Sequence, residues 1–226
     1  VRPQEPRSQG SSSAGIALFT LTAPFRHFPP PSPFRLFAMT RPSVFPPAAG
    51  RCICLDTETT GLSARTDRIC EIAAVEFDPH TWRTVDRYHA YVNPERSVPY
   101  GAFRVHGLST AFLSDKPVFA SIAGGFLDFI ADANLFIHNA AYDTRMLNAE
   151  LERLGLGPIS CACRSVTCTL RAAERLRGRG GNRLDDLCRL YGIDLSDRTL
   201  HGALIDSELL VQVVRELGRR GAVFGA

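Results

Sequence analysis

Two acids separated by one residue, Asp56 and Glu58, close the short apolar run Cys52-Ile53-Cys54-Leu55 and are followed by Thr59-Thr60-Gly61. A run of this length ending at a turn signal reads as a buried strand over 52–56. Residues i and i+2 of a strand project from one face, so the two carboxylates point the same way. Carboxylates crowded on one side of a buried strand repel each other unless something positive lies between them. A hard divalent cation with oxygen ligands fits that need, Mg2+ or Mn2+ best. The competing reading ends the strand at Asp56 and leaves a solvated polar turn.

Two further acids sit where helices begin. Met146, Leu147, Leu151 and Leu154 form an apolar stripe, and Asp143 stands three and four positions before its first pair. Leu209, Leu210, Val213, Val214 and Leu217 stand in the same relation to Asp206. An ionised carboxylate turned towards a core is costly unless paired or metal-bound. Each acid alone could be a helix cap or a partner of the helix dipole. Four such acids with no obvious basic partner call for cations, and two ions roughly 4 Å apart are an established device for attack on a phosphodiester. His201 lies five residues before Asp206 in the turn Arg198-Thr199-Leu200-His201-Gly202, where a neutral imidazole could take a proton from water.

The elements that must hold these residues follow from the patterning. Ile69 to Phe77 reads as a second strand and Trp82 to Val92 as a third, joined through Asp78-Pro79-His80-Thr81 and ended by Asn93-Pro94. Phe119, Ile122, Phe126, Phe129 and Ile130 recur at helical spacing, which predicts a helix over 118–131. Asn134 to His138 is a short buried strand leading into a helix over 141–154. Further helices are expected over 166–176, 184–191 and 203–217, with a flexible loop from Gly178 to Gly181. A three-strand meander followed by alternating strands and helices indicates an α/β sheet of mixed strand direction.

Composition narrows the classes. The 45% hydrophobic content of the 226 residues suffices for a buried core. Residues 1–50 carry five arginines against Glu5, a charge of +4, which leaves 21 basic and 22 acidic residues, or −1, over 51–226. A nearly neutral domain has no large basic footprint, so a polyanion would be held by a local groove and bound metal. Seven cysteines, an odd number scattered through apolar segments, read as reduced thiols in a reducing compartment. Cys161, Cys163 and Cys168 lack the paired spacing of a zinc site. Residues 1–50 are rich in Pro, Ser, Phe and Arg and read as a disordered extension. The apolar patch from Ala14 to Ala23 is too short to span a bilayer; a start near Met39 is the favoured reading and targeting the other.

Asp56-x-Glu58, Asn139-x-x-x-Asp143 and His201-x-x-x-x-Asp206, in this order, resemble the three exonuclease motifs of the DEDD superfamily, histidine subgroup. The fuller strings Leu55 to Gly61, Val105-His106-Gly107, Ile137 to Asp143 and Arg198 to Leu204 look like the DnaQ-like proofreading epsilon subunits of bacterial DNA polymerase III. The similarity covers about 51–217. It implies an α/β, RNase H-like fold with a mixed five-stranded sheet flanked by helices, in an exonuclease domain over 51–220 followed by a short tail, 221–226. It further implies 3′→5′ removal of nucleotides from DNA 3′ ends with two Mg2+ or Mn2+ ions, in the bacterial cytoplasm, with a replicative polymerase as a partner and no membrane. Asp56, Glu58 and Asp206 would ligate metal, Asp143 would complete the site, and His201 would be the general base. Thr59, His106, His138 and Tyr142 fall where the family contacts the terminal nucleotide. Two departures stand out: Gly101 replaces an acid that related subunits often carry near the substrate, and Gly218 to Ala226 holds no evident clamp-binding motif. An RNA-trimming relative would share the same acids, and a non-catalytic module would share the fold alone.

Overall fold

The computed structural model describes residues 50–224. The reading of 1–50 as a disordered extension, with its start at Met39, lies outside the described residues. Five strands form one sheet in the order β3-β2-β1-β4-β5. They are β1 (Cys52–Thr59), β2 (Ile69–Phe77), β3 (Thr84–Tyr91), β4 (Asn134–Ile137) and β5 (Ser165–Cys168). β1 runs antiparallel to β2 and parallel to β4, and β5 is parallel to β4, so the sheet is mixed as expected. Among the described residues seven α-helices accompany it: α1 (Tyr100–His106), α2 (Thr110–Leu113), α3 (Phe119–Ile130), α4 (Ala140–Arg153), α5 (Thr169–Arg177), α6 (Leu184–Tyr191) and α7 (Ala203–Arg219).

The two-residue period of β1 divides the core. Ile53 and Leu55 face a cluster with Phe126 and Ile130 of α3 and Met146 and Leu147 of α4. Cys52 and Cys54 face the opposite cluster, with Leu187 of α6 and Leu210, Val213 and Val214 of α7. Each fully buried aliphatic side chain adds about 1.5–3 kcal/mol relative to exposure, so this central strand anchors both layers. The tail belongs to the second cluster: Ala222 is buried and the Phe224 ring stands edge-on to Phe136 at 5.5 Å.

Several boundaries differ from the sequence expectations. β1 continues through Glu58 to Thr59, with a bulge between Glu58 and Thr59 where its pairing to β2 shifts. Bulges of this kind re-aim side chains near the end of a ladder. Residues 166–168, expected to open a helix over 166–176, instead pair with β4, and α5 begins at Thr169. The burial of strand β4 between two parallel neighbours outweighs the weak local preference of those residues. Trp82 lies before β3, with φ 61° in the turn that follows Asp78. α1 and α2 were not expected. Their sequences are short and α1 contains Gly101, which weakens a helical signal.

Candidate active site

Alternation in β1 carries past the core into its polar end. Asp56 and Glu58 share the parity of Cys52 and Cys54, so they face α7 and its Asp206. Thr57 has the parity of Ile53 and Leu55 and faces α4. There its hydroxyl donates to Asp143 Oδ1 at 2.7 Å. Asp143 itself is presented by an unusual helix start. Asn139, the residue before α4, adopts a left-handed conformation with φ 62° and ψ 47°, which Asn tolerates better than most residues. The first turn of α4 thereby turns its acid inward.

Asp206 sits in the first turn of α7, whose N-cap, Gly202, has no side chain to bond the free amides. A strand acid fills that place: Glu71, paired opposite Glu58, accepts from the Ala203 amide at 3.1 Å and contacts His89 Nε2 at 2.7 Å. Glu71 is buried, and its role was not foreseen because strand register cannot be read from composition. The loop before α7 is tied down as well. The His201 amide donates to the Val105 carbonyl at 3.0 Å, linking it to the end of α1.

These elements bring Glu58, His201 and Asp206 together, with one ligand atom of each within 4.8 Å of the others. Asp56 lines the cleft that holds His201 and Asp206, and the charges of Asp143 and Glu58 act on it. Burial, with Asp143 and Glu58 nearby, raises the Asp56 pKa well above the usual carboxylate range. Burial and neighbouring Asp206 and Glu71 raise Glu58 to about 8, and burial raises Asp143 to about 7. Such acids are poor ions without a cation and good ligands with one. The donor set of carboxylate oxygens with one imidazole suits a hard divalent ion.

Asp206 behaves differently. Burial opposes its ionisation, yet hydrogen bonds from His201 and Arg198 hold its pKa below the ordinary value. Arg198 donates through Nε to Oδ1 and through Nη2 to Oδ2 at 2.7 Å, a two-pronged pair. The expectation that none of the four acids has a basic partner is therefore corrected. Arg198 stands in the His201 loop and folds back onto α7, a closure invisible from spacing. Its Nη1 bonds Asp185 of α6, and its Nη2 lies 2.7 Å from His201 Nδ1.

The residues expected at the terminal nucleotide separate into two clefts. Thr59, His106 and Tyr142 line a cleft of about 650 Å³ with Glu58, Gly61 and Gly101. The Thr59 and Tyr142 hydroxyls bond each other and reach the Gly61 carbonyl at 2.8 and 3.0 Å. This leaves the Tyr142 ring as an apolar face and the threonine fixed. Burial lowers the His106 pKa, an effect opposed by a bond to the Thr59 backbone. Its Nδ1 accepts from the Leu108 amide, while Nε2 lacks a well-formed partner. His138 lines the second cleft, about 400 Å³, with Asp56, Asp185, Arg198, His201 and Asp206. Both its nitrogens are occupied, by Thr169 Oγ1 and the Asn182 carbonyl at 2.9 Å each. His138 therefore braces α5 and the following loop with both ring atoms.

Comparison with known proteins agrees with this geometry. The exonuclease family RNase T matches residues 53–214. A DNA polymerase III subunit epsilon of Rickettsia felis is 45% identical over 177 residues, spanning 76% of this chain and 76% of the relative. In fold alone, the chain is similar to the nuclease domain of 3′hExo, a DEDDh family member bound to rAMP. That match has a TM-score of 0.66 at 16% identity and covers 77% of this chain and 94% of the other. The zinc-bound complex of E. coli ExoI with single-stranded DNA gives 0.66 at 20% identity, covering 76% and 41%. A match this long in sequence, laid over a sheet whose acids converge as described, has one reading: the chain belongs to the exonuclease family, among relatives of the DNA polymerase III epsilon subunit.

Proposed function

We propose that this exonuclease removes nucleotides one at a time from DNA 3′ ends, as an epsilon-type proofreading activity using two Mg2+ or Mn2+ ions. The convergence of Glu58, His201 and Asp206 within 4.8 Å, beside Asp56, is the observation that carries it. Asp56, Glu58 and Asp206 would hold the metal directly, and Asp143, fixed by Thr57, would complete the set. Bound there, divalent ions would supply Lewis acidity for a phosphodiester and lower the pKa of water. The protein's own part is to orient and to move one proton. His201 is half exposed at the lip of the cleft, and in this reading it accepts a proton from the attacking water. Thr59, His106 and Tyr142 form the wall against which a terminal base and sugar would lie, with the Tyr142 ring for stacking.

A replicative polymerase as partner is part of the same proposal and rests on the likeness to epsilon subunits. Among the described residues no helix is long and apolar enough to cross a membrane.

The deciding experiment compares degradation of 3′-labelled single-stranded DNA and RNA of one sequence, with Mg2+ and with chelator, by the protein and its Asp56→Ala variant. Metal-dependent shortening of DNA, faster at a mismatched 3′ end and lost in D56A, supports proofreading. Preference for RNA would move the same site to RNA trimming. Activity unchanged in D56A would refute the assignment of the acids.

A further inference from the structure

Arg198 is a cation in the middle of a site built for cations. Its side chain is only 6% exposed and that of Asp206 5%. All three guanidinium nitrogens are engaged, by both oxygens of Asp206, by Asp185 and by the His201 ring. Among the described residues, Asp56, Glu58 and Asp143 form no ion pair, so Asp206 alone of the four acids is neutralised from within. The same two oxygens cannot serve the guanidinium and a metal ion at full strength. His201 Nδ1 stands between the two side chains, 2.7 Å from Arg198 Nη2 and 3.2 Å from Asp206 Oδ2.

We propose that Arg198 is a latch on the metal site: without metal its guanidinium stands in for the cation on Asp206, and Asp185 is the carboxylate that retains it when a divalent ion takes Asp206. This rests on the metal-dependent reading above. A buried arginine stripped of its carboxylate would be an uncompensated charge, which is strongly unfavourable. Asp185 removes that difficulty, because Nη1 is already bonded to it from the neighbouring helix. Asp185 is 29% exposed and its other oxygen lies 3.5 Å from Arg189, so it is anchored where the guanidinium can remain.

The test is thermal unfolding of the full chain, without nucleic acid, across a Mn2+ titration begun from chelator, for wild type, R198Q, D185N and R183Q. Arg183 lines the same cleft without bonding Asp206, so R183Q removes an equal charge and leaves the latch intact. R198Q is expected to unfold at lower temperature without metal, yet to reach half-maximal stabilisation at a Mn2+ concentration lower by on the order of tenfold. D185N is expected to shift that midpoint in the opposite direction, and R183Q by less than about twofold. Where metal-free R198Q fails to fold, R198K, which keeps the charge and loses the fork, should lower the midpoint by a smaller factor. An unchanged or raised midpoint in R198Q, or an equal drop in R183Q, would overturn the latch while leaving the metal site standing. A wild type whose unfolding ignores both Mn2+ and Mg2+ would overturn the metal reading and the latch with it.

Discussion

Gly107 lies against Leu200 so closely that a Cβ on Gly107 would stand 2.6 Å from Leu200 Cδ1. Gly107 also has φ 74°, ending α1 in the left-handed region. With the bond from the His201 amide to Val105, this contact sets the loop that carries the proposed base against the helix that carries His106. The spacing of the two sequence strings Val105-His106-Gly107 and Leu200-His201-Gly202 thus has a physical cause: one is the seat of the other. Gly107→Ala meets both objections, strain of about 1–2 kcal/mol from the left-handed backbone and overlap with Leu200. Its chemical denaturation midpoint should fall accordingly. Because the loop moves and the nucleotide cleft does not, kcat should drop more than KM rises. The reverse split would place the damage at His106.

Thr57 offers a cleaner dissection of Asp143. Thr57→Val keeps the shape and removes the side-chain hydrogen bond from position 57 to that carboxylate. The donor favours the charged form, so its loss should push the Asp143 pKa further up and make a metal displace a proton more tightly held. Backbone amides still donate to the carboxylate, so the expected stability cost is that of one hydrogen bond, about 0.5–1.5 kcal/mol. Calorimetric titration with Mn2+ should show weaker binding than wild type at pH 7 and a smaller difference at pH 9. Equal affinity at both pH values would argue that Asp143 stands apart from the metal.

His201→Ala should slow turnover far more than it weakens DNA binding, because its side chain is half exposed and anchors little of the fold. Single-turnover rates beside equilibrium binding in Ca2+ separate the two. Equal losses would make His201 a substrate contact and not a base.

What could be read in advance was whatever depends on local periodicity. Asp56 and Glu58 share a face because side chains alternate along any strand, and Asp143 and Asp206 head buried stripes because helices repeat every 3.6 residues. What escaped depends on chain closure. Arg198 reaches Asp206 across a loop, and nothing in Arg198-Thr199-Leu200-His201 fixes that turn. Glu71 meets α7 only once the register of β1 and β2 is known. The bonds from the His138 ring to Thr169 and Asn182 likewise join positions 31 and 44 residues away, which no local pattern displays. β5 is four residues long and earns its strand state from β4 alone.

Gly101 tests the one departure from the epsilon-type strings that the cleft displays. A Cβ there would meet nothing within 4 Å, and α1 has no acid in its first turn. Gly101→Glu should therefore fold, stabilising the chain by about 0.5–1 kcal/mol through reduced backbone freedom. A favourable charge near the helix start adds about 0.3–1 kcal/mol more. The midpoint of thermal unfolding should rise by about 2–4 °C per kcal/mol. A decrease would show that the new acid feels the carboxylate cluster across the cleft.

The raised acids make the metal-free protein sensitive to alkali. A group whose folded pKa exceeds its unfolded value keeps its proton longer in the folded state. Its contribution to stability is present below the unfolded pKa and is lost as pH rises through the folded one. For Glu58 and Asp143 that window opens near the ordinary carboxylate range and closes around 8 and 7, and Asp56 acts in the same direction. Asp206 has the opposite sign, so its contribution is lost only in acid, below the ordinary carboxylate pKa. In chelator, the unfolding temperature should therefore fall steadily between about pH 5 and 8. Saturating Mn2+ should flatten that fall, since a cation replaces the protons the acids would otherwise retain. A metal-free profile level across this window would mean that the acids are ionised at neutral pH and that their charges are balanced within the protein. In that case Arg198 would have to compensate more than Asp206 alone.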